Sequence, residues 1–247
     1  FAIPSIYLRD HPDIYIHTTG DLPDNIEPTK IKRSAFIAAA SGYYLATMPD
    51  RGAALLRLSY ANAYQRLAED GRRAATKASA GSAGEAVNII AHAVGREQRR
   101  LQTLSTFVLP GAPAPSSESL GQLADRLGAA GTALTQAIAG GASSATAGGA
   151  PTAEARIPMR NPAVKGPLPP DGDWLLDKTG RGGATVAISR VPRSEDVTYE
   201  IVNFIDGSRS IADIRNAVSA EFEPIELSAV AEYIDLLARA GAITFKR

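Results

Sequence analysis

The chain has 247 residues, enough for one large domain or two to three small ones. Its 26 basic and 26 acidic side chains cancel, so no overall field favours nucleic acid or an anionic membrane surface. It has no cysteine, which excludes disulfides and thiolate metal sites, and no stretch approaches the roughly 20 apolar residues of a membrane span.

The chain opens on "FAIPSIYLRD", which is neither a start codon nor a signal peptide and reads like the middle of a folded domain. Residues 3–8 and 13–18 are predicted as short strands, and the segment is expected to be a fragment of a longer protein. "GDLPDNIEP" (20–28) is a turn-rich connector. A helix is predicted from an N-cap at Thr29 to about residue 48, with Ile31, Ala35, Ala38, Ala39 and Tyr43 on its apolar face. After Pro49 helical spacing resumes, with Leu56, Tyr60, Tyr64 and Leu67 on one face up to about Lys77. "ASAGSAG" breaks it, and a helix over about 85–108 carries Val87, Ile90, Val94, Leu101, Leu104 and Val108 near heptad spacing, with Glu97 the one polar exception. A third, over about 117–139, repeats the pattern with Leu120, Leu123, Leu127, Ala130 and Leu134. Three such faces on short loops predict antiparallel packing.

From residue 140 to about 170 the chain is rich in Gly, Ala, Ser, Thr and Pro, the composition of a flexible linker. Order is expected to return near Trp174, and "ATVAISRV" (184–191) alternates as a strand would. A helix over "SEDVTYEIVNFIDG" should end at Gly207. The next should open on a capping box between Ser210 and Asp213, and a third should end at Gly241 before a strand in "AITFKR". The fold class expected is mostly α: a short α/β segment over 1–50, helical hairpins over 51–141, a linker over 142–170, and a winged-helix-like α+β module over 171–247.

Two resemblances sharpen this reading. The run "IPSIYLRDHPDIYIHTTGDLPDNIEPTKIKRSAFIAAASGYYLA" resembles the C-terminal end of the di-zinc aminopeptidases, the family of bacterial leucyl aminopeptidases and transferrin-receptor-like zinc exopeptidases. The resemblance covers about residues 1–48 and centres on "IHTTGD". It implies a zinc ligand at His17, the last in chain order; the second nitrogen of that ring needs an acceptor to fix its tautomer, for which Asp21 or a nearby carbonyl is the candidate. Where the family commonly has Thr after that Asp, this chain has Leu22. His11, in a "RDHPD" loop, and His92, on a helix face, are not expected to bind metal. The family's remaining ligands and its glutamate base belong to earlier segments, so the resemblance implies a zinc metallo-aminopeptidase parent with two zinc ions, secreted or periplasmic, whose substrates are peptides. These residues alone should then be inactive, with the missing N-terminal part of the same peptidase domain as their partner.

The run "FIDGSRSIADIRNAVSAEF…VAEYIDLLARAGAI" resembles the helical half of the coenzyme-PQQ-synthesis peptide chaperones, which implies peptide binding at a sheet edge. The alternative function is therefore a non-enzymatic peptide- or protein-binding scaffold. Residues 194–247 hold 10 acidic and 5 basic side chains, a net of −5, which argues against nucleic acid despite the winged-helix-like pattern.

Overall fold

Pro28 starts the first helix by fixing its own φ and removing an N–H that would have had no acceptor. In the computed structural model, which describes residues 8, 15, 17–47, 52–107, 117–140, 154–164, 173–181 and 186–246, this helix is α1 (Pro28–Ala46). Its N-cap is Glu27 and not Thr29. The first free donors after proline are the N–H groups of Thr29 and Lys30, and the Glu27 carboxylate accepts both, at 3.1 and 2.8 Å. Those bonds hold the Glu27 carboxyl below its ordinary pKa.

No residue of α1 is buried, including the face expected to pack. Ile31, Phe36, Ile37, Tyr43 and Leu45 are each more than half exposed. At about 100° per residue they point around the whole circumference, and from Ser34 to Ala46 no side chain is charged. A helix apolar on every side is the kind that proteins enclose completely. The strand predicted over 3–8 lies outside the described residues except at Leu8, as does half of that over 13–18; in its described part the second is no strand, with a bend at Tyr15 and a turn over 17–20.

Helices α2 (Gly52–Ser79), α3 (Ala83–Thr103) and α4 (Ser117–Ala139) form an antiparallel three-helix bundle. The heptad-like faces meet as predicted: Ala63, Leu67, Ala93, Leu101 and Leu127 are buried, with Leu56, Tyr60, Leu104, Leu123 and Leu134 packed around them. Tyr64, expected on that face, is partly exposed and meets Tyr60 edge to face at 5.0 Å.

At the α3–α4 crossing Gly131 faces Val94 so closely that a Cβ there would lie 2.3 Å from Val94 Cγ2. Replacing Gly131 with alanine improves helix propensity by about 1 kcal/mol. The clash outweighs that gain, since overpacking costs about 1–3 kcal/mol. We expect Gly131→Ala to lower the urea midpoint and Val94→Ala to restore part of it in the double variant.

The C-terminal module begins earlier than its composition suggests. Strand β1 (Pro158–Arg160) pairs antiparallel with β2 (Ile243–Phe245), Met159 opposite Thr244. Part of the stretch expected to be a flexible linker over 142–170 is thus structural; residues 141–153 and 165–172 lie outside the described residues. The reason is backbone bonding, which composition does not report. The carbonyls of Glu154 and Arg156 accept the N–H groups of Ala212 and Ile211, two donors that the start of the helix at Ile211 leaves without an intrahelical acceptor. Arg156 also forks onto Asp235 at 2.8 and 3.3 Å and lies 4.5 Å over the Phe245 ring.

Between the strands lie α5 (Asp173–Thr179), α6 (Ser194–Phe204), α7 (Ile211–Glu221) and α8 (Leu227–Arg239). Among the described residues the chain is therefore mostly α, eight helices with one two-stranded sheet. The module's core holds Leu175, Ile188, Ile201, Ile214, Val230, Tyr233 and Leu237, with Trp174 packed against it. The predicted capping box is present: the Ser210 hydroxyl accepts the Asp213 N–H at 3.1 Å and Asp213 accepts the Ser210 N–H at 3.0 Å. Gly207, at φ +77°, turns the chain out of α6.

The strand predicted over 184–191 is, in its described part, a 3-10 turn at Ala187–Arg190. Val186 and Ile188 both enter the core, which explains the alternation. The Ala187 N–H goes to the Glu232 carboxylate at 2.9 Å instead of to a neighbouring strand.

Candidate functional site

His17 occupies an exposed turn with φ +61°, a left-handed conformation uncommon for residues other than glycine. Thr18 holds the turn. Its hydroxyl donates to the Tyr15 carbonyl at 2.6 Å and accepts the Gly20 N–H at 3.1 Å, while its carbonyl accepts the Asp21 N–H. Asn25 closes the loop by donating to the Gly20 carbonyl at 2.7 Å. Asp21 is exposed, and no hydrogen bond joins it to His17. Among the described residues no three His, Asp or Glu side chains group to hold a metal ion. His92 lies elsewhere, 3.2 Å from Glu221 and edge to face with Phe204. His11 lies outside the described residues.

A second constellation escaped the sequence reading except at Glu97. On α2, Ser59, Asn62, Arg66, Asp70, Arg73 and Lys77 recur every three or four residues, forming a polar stripe beside the apolar one. On α3, Glu85, Asn88, His92 and Arg96 do the same, with Glu97 and Arg100 alongside. That heptad-like recurrence of polar residues was a readable signal, because a helix exposed on its polar face has no need of such spacing.

Glu97 is completely buried. Its carboxylate accepts from Arg66 Nε and Nη2 (3.0 and 2.6 Å), Arg96 Nε (3.0 Å) and Arg100 Nη1 (2.8 Å). Burial alone would push the Glu97 carboxyl up. The bonds from Arg66 and Arg96 and the charge of Arg100 outweigh burial and hold it below the ordinary carboxylate range. Asp70 extends the network, accepting from Arg96 at 2.8 Å and Arg73 at 2.7 Å. Burial would lower the pKa of the Arg96 guanidinium, but its bonds to Asp70 and Glu97 raise it. Four guanidinium groups thus surround two carboxylates.

The seam continues onto the C-terminal module. Arg73 also donates to the Ala220 and Glu221 carbonyls at 2.7 and 3.3 Å, capping the C-terminal end of α7 where a cation is favoured. Arg215 reaches Glu85 at 2.6 Å, Asn88 donates to the Asn216 carbonyl at 2.9 Å, and Lys77 pairs with Glu223. The apolar part of this junction is small: Ala220 of α7 against Ala74, Ala86, Ile89 and Ile90. The bundle and the module are therefore held in register mainly by directional polar contacts.

No helix among the described residues is long and apolar enough to cross a membrane. No protein-family model, no curated protein and no solved structure matches the chain.

Proposed function

We propose that the chain is the C-terminal part of a zinc-dependent aminopeptidase that removes N-terminal residues from peptides, with His17 as one zinc ligand and Asp21 its hydrogen-bond acceptor in the assembled site. The observation that supports this reading is α1, which from Ser34 to Ala46 carries no charge on any side and is buried nowhere. Such a helix needs a protein core around it. The remainder of the peptidase domain, the partner implied by the resemblance of residues 1–48, would provide that core. His17 precedes α1 by a short connector, so enclosing the helix would carry the turn into the same domain.

An exposed neutral imidazole is a donor of the right chemistry for zinc. It is one donor only, and the other ligands and the general base would come from the same missing part of the domain. Zinc bound there would activate water and polarise the scissile carbonyl. The chain by itself would be inactive, and the resemblance points to a secreted or periplasmic enzyme.

The test is to express the complete parent protein and compare it with His17→Ala on a panel of amino-acid anilides, with zinc counted by elemental analysis. The variant is expected to lose one equivalent of zinc and to fall at least about 100-fold in activity, as loss of a metal-holding group implies. Equal activity and equal zinc in both proteins would sink the assignment.

A second reading, peptide binding without catalysis, is favoured by the sheet, which among the described residues has two strands and therefore edges to which a peptide strand can add. A peptide that binds the C-terminal module equally well in the His17→Ala protein, with no hydrolysis by either protein, would support it.

A further inference from the structure

The cavity between α2 and α3 beside Glu97 has a volume of about 190 Å³ and is lined by Ser59, Asn62, Ala63, Arg66, Arg100 and Leu101 together with Glu97. Arg66 grips Glu97 through Nε and Nη2, which leaves its Nη1 uncommitted. Arg100 uses only Nη1, which leaves Nε and Nη2. Among the described residues, the Ser59 hydroxyl and the Asn62 amide have no hydrogen-bond partner. Ser59, Asn62 and Arg66 follow one another at three- and four-residue spacing, so one face of α2 presents all three to this space.

The charge balance is as informative as the geometry. Arg66, Arg73, Arg96 and Arg100 surround Asp70 and Glu97 and exceed them by two positive charges. A buried carboxylate that only neutralised its partners would not need three guanidinium groups. Glu97 instead anchors Arg66 and Arg100 with their remaining N–H groups on the cavity wall, and fixing an arginine beforehand lowers the entropy lost when it binds. Planar N–H forks beside hydroxyl and amide donors suit an oxygen anion.

We propose that this cavity is a binding site for a small oxyanion, a carboxylate or a phosphate, held by Arg66 and Arg100 with Ser59 and Asn62. It is independent of the zinc reading, since it lies wholly within the bundle and uses none of the residues around His17.

The test follows the thermal midpoint of the full chain during titration with inorganic phosphate and, separately, with acetate, at constant ionic strength set with chloride. A ligand that binds only the folded state raises the midpoint along a saturable curve. We expect such a curve with phosphate, with acetate, or with both. Phosphate alone identifies a phosphoryl ligand, acetate alone a carboxylate, and both a general oxyanion site.

Arg100→Gln should abolish the response. Its side chain is 52% exposed and makes one bond to Glu97, so the fold has little at stake. Asn62→Ala, which leaves the arginine network untouched, should weaken apparent affinity by at least about tenfold, the loss of one charge-assisted bond. Arg72→Gln, an equal charge change on the exposed side of α2, should respond as the wild type does. The proposal is overturned if neither anion saturates, if Arg100→Gln and Asn62→Ala both keep the wild-type curve, or if Arg72→Gln loses it to the same extent.

Discussion

Replacing Glu97 with alanine should destabilise the bundle by about 3–5 kcal/mol, the cost of breaking a buried ion pair from one side. The alanine removes the single carboxylate on which Arg66, Arg96 and Arg100 converge and leaves three cations facing one another over a vacated site. Glutamine, which keeps the volume and an acceptor oxygen, should cost less. The measurement is urea unfolding followed by circular dichroism, with Trp174 fluorescence recorded on the same samples.

Trp174 is the only tryptophan and packs on the C-terminal core, so it reports that module alone. The helical signal should shift to lower urea in Glu97→Ala while the Trp174 transition moves less. Coincident shifts of equal size would mean that the polar seam makes bundle and module one cooperative unit.

The same residue contributes to the acid limb of the bundle's stability. The folded-state pKa of Glu97 is depressed below the ordinary value of 4.5. A depressed carboxylate contributes stability that is fully present above its unfolded pKa and is lost as pH falls through the folded one. Wild-type bundle stability should therefore be flat above pH 4.5 as far as Glu97 is concerned and should decline below it. Glu97→Gln should show a shallower decline, and an acid limb identical in the two proteins would contradict the ion-pair account.

Replacing Tyr233 with alanine should cost the C-terminal module about 3–5 kcal/mol, the range for truncating a buried aromatic side chain. Tyr233 is completely buried in α8, within a core shared with Ile201, Ile214 and Val230. A surrounding core of this kind cannot collapse to fill so large a void. Here the Trp174 transition should fall to lower urea, the reverse of the Glu97 pattern. A Trp174 midpoint unchanged in Tyr233→Ala would mean that this core does not hold the module together.

The bundle and the last three helices were legible because their burial repeats at the helical period. Leu67, Leu101, Leu127, Ile201, Ile214 and Leu237 are apolar at that spacing, and the tertiary structure buries all of them. The Ser210–Asp213 capping box was legible for a related reason: its hydrogen bonds lie within one turn and need nothing from elsewhere in the chain. Periodicity failed at Val186 and Ile188, where alternation marks two anchors in a core and not a strand. It failed again at α1, because the spacing of Ile31, Ala35 and Tyr43 says that a face is apolar and says nothing of what covers it.

The sequence by itself determined the bundle helices and the last three helices, their apolar faces and the Ser210–Asp213 capping box, since each depends on interactions among residues at most a few positions apart. Only the tertiary structure decided that β1 belongs to the C-terminal module, that α7 borrows acceptors from residues 154–156, and that Glu97 gathers Arg66 from another helix. These partners lie tens of residues apart along the chain, and a hydrogen-bonding side chain carries no local mark of which distant donor will reach it.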